Sequence, residues 1–104
     1  MDRVAFKMKL LPGCEAEYKK RHDEIWPELS SLLKQSGIGD YSIFLEEESG
    51  YLFGFLKVKD RQVLENLPAQ AIMQKWWAFM SDIMEVNPDR SPVSLPLKEV
   101  FYLP

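Results

Sequence analysis

DYSIFLEEESGYLFGFLKVK, residues 40–59, reads as two strands joined by a turn. Tyr41, Ile43 and Leu45 share one face of the first strand, from about Asp40 to Glu47, and Glu48, Ser49 and Gly50 make the turn. The second strand, Tyr51 to Lys59, carries Tyr51, Phe53 and Phe55 on one side. Leu52, Leu56 and Val58 line its other side, so both faces of this strand need covering.

Upstream of the hairpin, Val4, Phe6, Met8 and Leu10 alternate with Arg3, Ala5, Lys7 and Lys9, the pattern of a half-buried strand that Pro12 and Gly13 stop. Between this strand and the hairpin the spacing predicts a helix from Cys14 or Glu15 to Gln35, closed by Ser36 and Gly37. Pro27 lies inside it. A proline there removes a backbone donor and clashes one turn back, which predicts a kink or break near Asp23–Trp26 and a freed carbonyl close to His22.

Downstream, Asp60 is a good N-cap for a helical region reaching about Met84, divided by Pro68 into two pieces, the second from Ala69. EVNPDRSPVSLP, residues 85–96, is a long connection of the kind that often carries function. LKEVFYL, residues 97–103, reads as the last strand. The order is βαββαβ, the ferredoxin-like split pattern: an α+β fold with one four-stranded antiparallel sheet and its helices on one face. Residues 1–104 are expected to form one domain. Nothing is left to cover the second sheet face, so a homodimer packed sheet against sheet is expected.

Composition narrows the function classes. The net charge of −3 comes from 13 basic and 16 acidic residues without a block of either sign, so the basic face of a nucleic-acid module is missing. Cys14 has no disulfide or metal-ligand partner, the N-terminus reads as a strand rather than a secretory segment, and no apolar run approaches the roughly 20 residues of a membrane span. A reducing cytoplasm is the expected compartment.

On a helical wheel, Tyr18, His22, Ile25, Trp26, Leu29, Leu32 and Leu33 form one inward stripe, with Lys19, Lys20, Arg21, Asp23 and Glu24 on the solvent side. His22 is the only histidine in the chain. An inward imidazole one turn after a tyrosine is what a small proton-transfer site needs, although a lone inward histidine is more often structural and Tyr18 and Tyr41 are ordinary core residues taken singly. Trp76 and Trp77 diverge by about 100° on a helix, so one core contact cannot use both. Indole faces with tyrosine hydroxyls nearby suit a carbohydrate. Asp89 and Glu99 stand apart from the solvated helix carboxylates, but as single residues they read as turn and surface groups. There is no HExxH, cysteine pair, Gly-rich phosphate loop, dinucleotide fingerprint or nucleophile motif, so neither metal nor organic cofactor is expected.

Six short motifs recur together: YKKRH at 18–22, IWPEL at 25–29, WW at 76–77, NPD at 87–89, SPVS at 91–94 and EVFYLP at 99–104. In this order and at these spacings the chain closely resembles the L-rhamnose mutarotases over essentially its full length. The resemblance implies a dimeric α+β barrel that interconverts the α and β anomers of L-rhamnose without metal or organic cofactor. It implies His22 as the proton donor and Tyr18, Tyr41, Trp76 and Trp77 as substrate-contacting residues. The chemistry agrees, because ring opening moves a proton onto the ring oxygen and takes one from the anomeric hydroxyl, and histidine titrates near neutrality. Asp89, a carbonyl freed near Pro27 and a water are the candidates for the partner base. Two rival classes are a cofactor-free monooxygenase on the same barrel, which also uses a lone histidine with tryptophans, and a non-catalytic sugar-binding module.

Overall fold

Strand β1, Asp2–Lys9, is the second strand from one edge of the sheet, and the computed structural model describes all residues 1–104 around it. The other elements are α1 (Glu15–Asp23), α2 (Pro27–Gln35), β2 (Ile38–Glu46), β3 (Tyr51–Val58), α3 (Gln62–Asn66), a 3-10 turn (Leu67–Ala69), α4 (Ala71–Met80) and β4 (Leu95–Leu97). The strand order is β2-β3-β1-β4, antiparallel throughout, which is the ferredoxin-like α+β arrangement expected from the pattern. No helix is long and apolar enough to cross a membrane.

The predicted helix over 15–35 is broken rather than kinked. Trp26 is extended, with φ −60° and ψ 131°, and Pro27 sits at the first turn of α2, where its missing N–H has no partner to lose. His22 O stays bonded, accepting from the Ile25 amide at 3.2 Å; the carbonyl that Pro27 deprives of a helical donor is that of Asp23, four residues earlier. α1 has Glu15 and Glu17 in its first turn and Lys20, Arg21 and His22 in its last, matching the helix dipole. Lys19–Asp23 and Arg21–Glu17 add i,i+4 pairs at 2.9 and 2.7 Å.

Two expected elements are shorter than the pattern suggests. α4 stops at Met80 because Ile83 and Met84 turn into the core and pair with β1's end: Leu11 N–H donates to Ile83 O at 2.9 Å and Glu85 N–H to Lys9 O at 3.0 Å. The last strand is Leu95–Leu97, not Leu97–Leu103. β4 pairs with β1 only from Lys7 to Ala5; that register, continued, brings Glu99 level with Arg3, one residue before β1 ends at Asp2, and residues 101–104 run beyond the strand. Glu99 marks the limit, held by Arg3 through two bonds of 2.8 and 2.9 Å.

One sheet face is buried under the helices through Val4, Phe6, Met8, Ile43, Leu45, Leu52, Leu56 and Val58, and the core divides into two groups. The larger gathers Leu10, Leu29, Leu52, Trp76 and Met80, the smaller Ile38, Leu56 and Val58, with Phe6 and Leu33 touching both. Gly54 in mid-β3 has a positional reason. A Cβ there would run into the tip of the Phe6 ring, which lies across the glycine from the neighbouring strand. Gly54→Ala is expected to cost about 1–3 kcal/mol of stability in urea unfolding, the usual price of overpacking. Phe6→Leu in the same chain should recover part of it; no loss from Gly54→Ala alone would mean that the ring is free to move.

Candidate active site

The cleft that separates the two core groups opens between helices and sheet. It encloses about 1540 Å³ and is lined by Tyr18, His22, Tyr41, Met73, Trp76 and Trp77 among others. That exceeds the roughly 300–1,000 Å³ of a typical small-molecule site, so a monosaccharide would occupy one end of it. The long connection after α4 contributes Ser91, Pro92, Ser94 and Pro96 to its wall.

Tyr18 and His22 come from successive turns of α1, with their rings 4.3 Å apart and tilted by 30°. The Tyr18 carbonyl lies 3.1 Å from His22 Nδ1. A carbonyl only accepts, so Nδ1 carries the hydrogen and Nε2 is the atom that gains or loses a proton. Trp76, from α4, meets the imidazole edge-on at 5.4 Å. Burial lowers the His22 pKa below its ordinary 6.5, outweighing the Tyr18 carbonyl and the Asp23 charge, which both favour the cation. The resting side chain at neutral pH is therefore a neutral imidazole with a free Nε2.

Between the folded pKa and 6.5 the unfolded chain binds more protons than the folded one, so stability rises with pH through this window and falls as pH drops through the folded value. An NMR titration of the single imidazole is expected to give a midpoint below 6.5; a midpoint at or above it would mean a solvated ring.

Tyr41 reaches the same cleft by a bulge. β2 and β3 pair Gly39 with Lys57 and then Ser42 with Phe55, so Asp40 and Tyr41 together oppose Leu56, and Asp40 takes φ +46°. The Tyr41 ring stands edge-on to Phe6 at 6.2 Å. Tyr41 lines the cleft with 41% of the residue exposed, and the desolvation of its hydroxyl by the surrounding protein pushes the pKa up to about 12. Burial raises the Tyr18 hydroxyl as well. Both tyrosines are thus protonated donors, not bases.

The five candidates meet in one cleft, but the tryptophans differ. Trp76 is 5% exposed and is mostly core, edge-on to Trp26 at 5.1 Å and tilted against Phe79 at 5.7 Å. Trp77 is half-buried and offers the more accessible indole. Asp89 is absent from the cleft wall: Ser91 N–H and Oγ–H both donate to it, holding the loop and lowering its pKa. Glu99 likewise serves Arg3. Arg21, read as a solvent-side residue, is instead folded against the end of α4, with a side chain only 12% exposed. Its partner Asp82 lies far off in sequence, and no local spacing marks the pair. No three His, Cys, Asp or Glu side chains converge as a metal-ligand set.

An aromatic cleft built around one neutral imidazole, on a ferredoxin-like α+β scaffold, defines a small-molecule enzyme that works by proton transfer. Residues 3–103 match the L-rhamnose mutarotase family. The chain belongs to that family. It is 58% identical to an L-rhamnose mutarotase of Mesorhizobium japonicum, over 98% of this chain and 97% of the relative. It is similar along its whole length to the crystal structure of an L-rhamnose mutarotase from Formosa agariphila, with 54% identity, full coverage of both chains and a TM-score of 0.94. A structure described as an antibiotic biosynthesis monooxygenase aligns over 94% of this chain and 97% of its own, at a TM-score of 0.51 and 13% identity. That likeness is one of fold alone and lends the monooxygenase reading no chemical support.

Proposed function

We propose that this chain interconverts the α and β anomers of L-rhamnose, with His22 moving the proton. The observation that carries the reading is the 3.1 Å contact of Nδ1 with the Tyr18 carbonyl on a ring that lines the cleft: a carbonyl only accepts, which assigns the hydrogen to Nδ1 and leaves Nε2 basic. Nε2 takes the hydrogen of the anomeric hydroxyl as the bond from C1 to the ring oxygen breaks and its electron pair leaves with that oxygen, giving an open-chain aldehyde with an alkoxide at the former ring oxygen, and an imidazolium. The imidazolium then protonates the ring oxygen. Both oxygens are bonded to C1, so one nitrogen can serve each in turn, and no second base is required. Rotation of the aldehyde about C1–C2 and the reverse steps close the other anomer, returning His22 to neutrality. The proton-donor role implied by the family resemblance is thus the second half of a shuttle whose first half is the base. Tyr18 and Tyr41 hold sugar hydroxyls as donors, Trp77 offers an apolar wall, and Trp76 backs the imidazole.

The working unit we propose is a homodimer of single-domain chains. β3, β2 and β4 present Phe44, Leu95 and Leu97 to solvent at 67%, 54% and 41% exposure, beside Phe53 and Phe55. The tail adds Val100, Phe101 and Leu103 at 89%, 71% and 79%. An apolar area of this kind in one chain is the mark of an interface, and a second copy of the same sheet is its self-complementary cover. A reducing compartment such as the cytoplasm suits the unpaired Cys14.

Saturation-transfer NMR on equilibrated L-rhamnose tests the activity directly. Magnetisation should pass between the anomeric signals faster with sub-stoichiometric protein than without. An unchanged exchange rate with folded protein present would defeat the proposal, and oxygen uptake with an aromatic substrate would point to the monooxygenase reading instead.

A further inference from the structure

Arg21, the residue immediately before His22, spends its whole guanidinium on two helices. Nε donates to Glu17 at 2.7 Å within α1. Nη1 donates to the Phe79 carbonyl at 2.7 Å and to Asp82 at 2.8 Å, and Nη2 donates to Asp82 at 3.2 Å. Its carbon centre also lies 4.4 Å from the Phe79 ring centroid. The Phe79 carbonyl is one of the last in α4, where helix geometry leaves acceptors unpaired and a cation is welcome. The Glu17 and Asp82 side chains are 45% and 67% exposed, and ion pairs with solvated carboxylates stabilise little, so an arrangement this complete calls for a reason beyond stability.

The contacts beyond Arg21 supply one. Phe79 packs on Trp76 at 5.7 Å, and Trp76 meets the His22 ring edge-on at 5.4 Å. Nδ1 is tied to the Tyr18 carbonyl and the Tyr18 ring lies 4.3 Å from the imidazole, so the Trp76 indole is the constraint on the ring that comes from α4 rather than from α1 itself. We infer that Arg21 is a positioning residue for His22: by pinning the end of α4 to α1, it sets the Trp76 indole against the imidazole and so fixes where Nε2 points in the cleft. This rests on the reading of His22 as the proton carrier. Lysine cannot replace the fork, since one ammonium does not reach Glu17, Asp82 and the Phe79 carbonyl in this flat geometry. The other charge adjacent to His22 along α1, Asp23, is paired with Lys19 and is untouched by the clamp.

Because His22 is the only histidine, its ring protons can be followed without ambiguity. The test compares wild type, Arg21→Lys, Asp82→Asn and the double variant, all held well below their melting temperatures. In both single variants the His22 ring signals should lose the ring-current shift imposed by Trp76, and the imidazole midpoint should climb toward 6.5 as water enters. Anomer exchange should fall on the order of 10- to 100-fold, chiefly in kcat, and the double variant should lose no more than either single one. Ring signals and midpoint that stay at wild-type values, whether or not melting temperature or activity falls, would overturn the inference and leave Arg21 a structural brace. Should wild type itself fail to accelerate exchange, the proposed activity falls, while the ring signals still decide whether Arg21 positions the imidazole.

Discussion

His22→Ala is expected to abolish the acceleration of anomer exchange while leaving a folded chain. Positioned proton transfer contributes about 100- to 10,000-fold, and with a single imidazole carrying both transfers the loss should reach the upper part of that range. The fold should survive because the side chain is not among the fully buried residues, and its one hydrogen bond is to a carbonyl of its own helix. Binding should change less than turnover, since Tyr18, Tyr41 and Trp77 remain in place. The check is saturation-transfer NMR across substrate concentrations, with circular dichroism on the same sample. If exchange in the variant stays within a few-fold of wild type, the proton moves elsewhere, and the two protonated tyrosines are the next groups to test.

Phe44→Asp is expected to convert a dimer into a folded monomer. Phe44 faces away from the helices on β2, opposite Phe53 of β3, and is 67% exposed in the single chain, so its own core does not depend on it. A two-fold interface would contain it twice. Removing two phenylalanine burials at about 1.5–3 kcal/mol each weakens association by roughly 100- to 10,000-fold, before the cost of placing carboxylates in an apolar contact. Size-exclusion chromatography with light scattering at micromolar protein reads the outcome. A variant that elutes with wild-type mass would place the interface elsewhere, and a monomeric wild type would refute the dimer itself.

The residues that set the architecture are close together in the chain, and their periodicity is plain. Alternation in β1, the Glu48–Gly50 turn and the doubly apolar β3 suffice for the antiparallel hairpin, and the helical stripe places Tyr18 and His22 on one inward face. Pro27 announces the break between α1 and α2 through a local steric fact. These features depend on neighbours within a few residues, which is why they can be read without coordinates. Element ends are another matter. α4 stops at Met80 because Met84 has a strand to join, and past Leu97 the link to β1 passes from the ladder to the Arg3–Glu99 ion pair, and neither feature is local to the segment concerned.

The sequence by itself determined the βαββαβ order, the apolar second sheet face and the residue types available for proton transfer. Tertiary structure alone decided what those residues can do. It brought Tyr41 from β2 and Trp76 from α4 to a histidine on α1, and it buried the imidazole enough to keep it neutral. It also turned Arg21 from a solvent-side cation into the link between two helices. The physical reason is the same in each case. Burial, tautomer and pKa come from atoms that lie close in space but far along the chain, and periodicity carries no record of them.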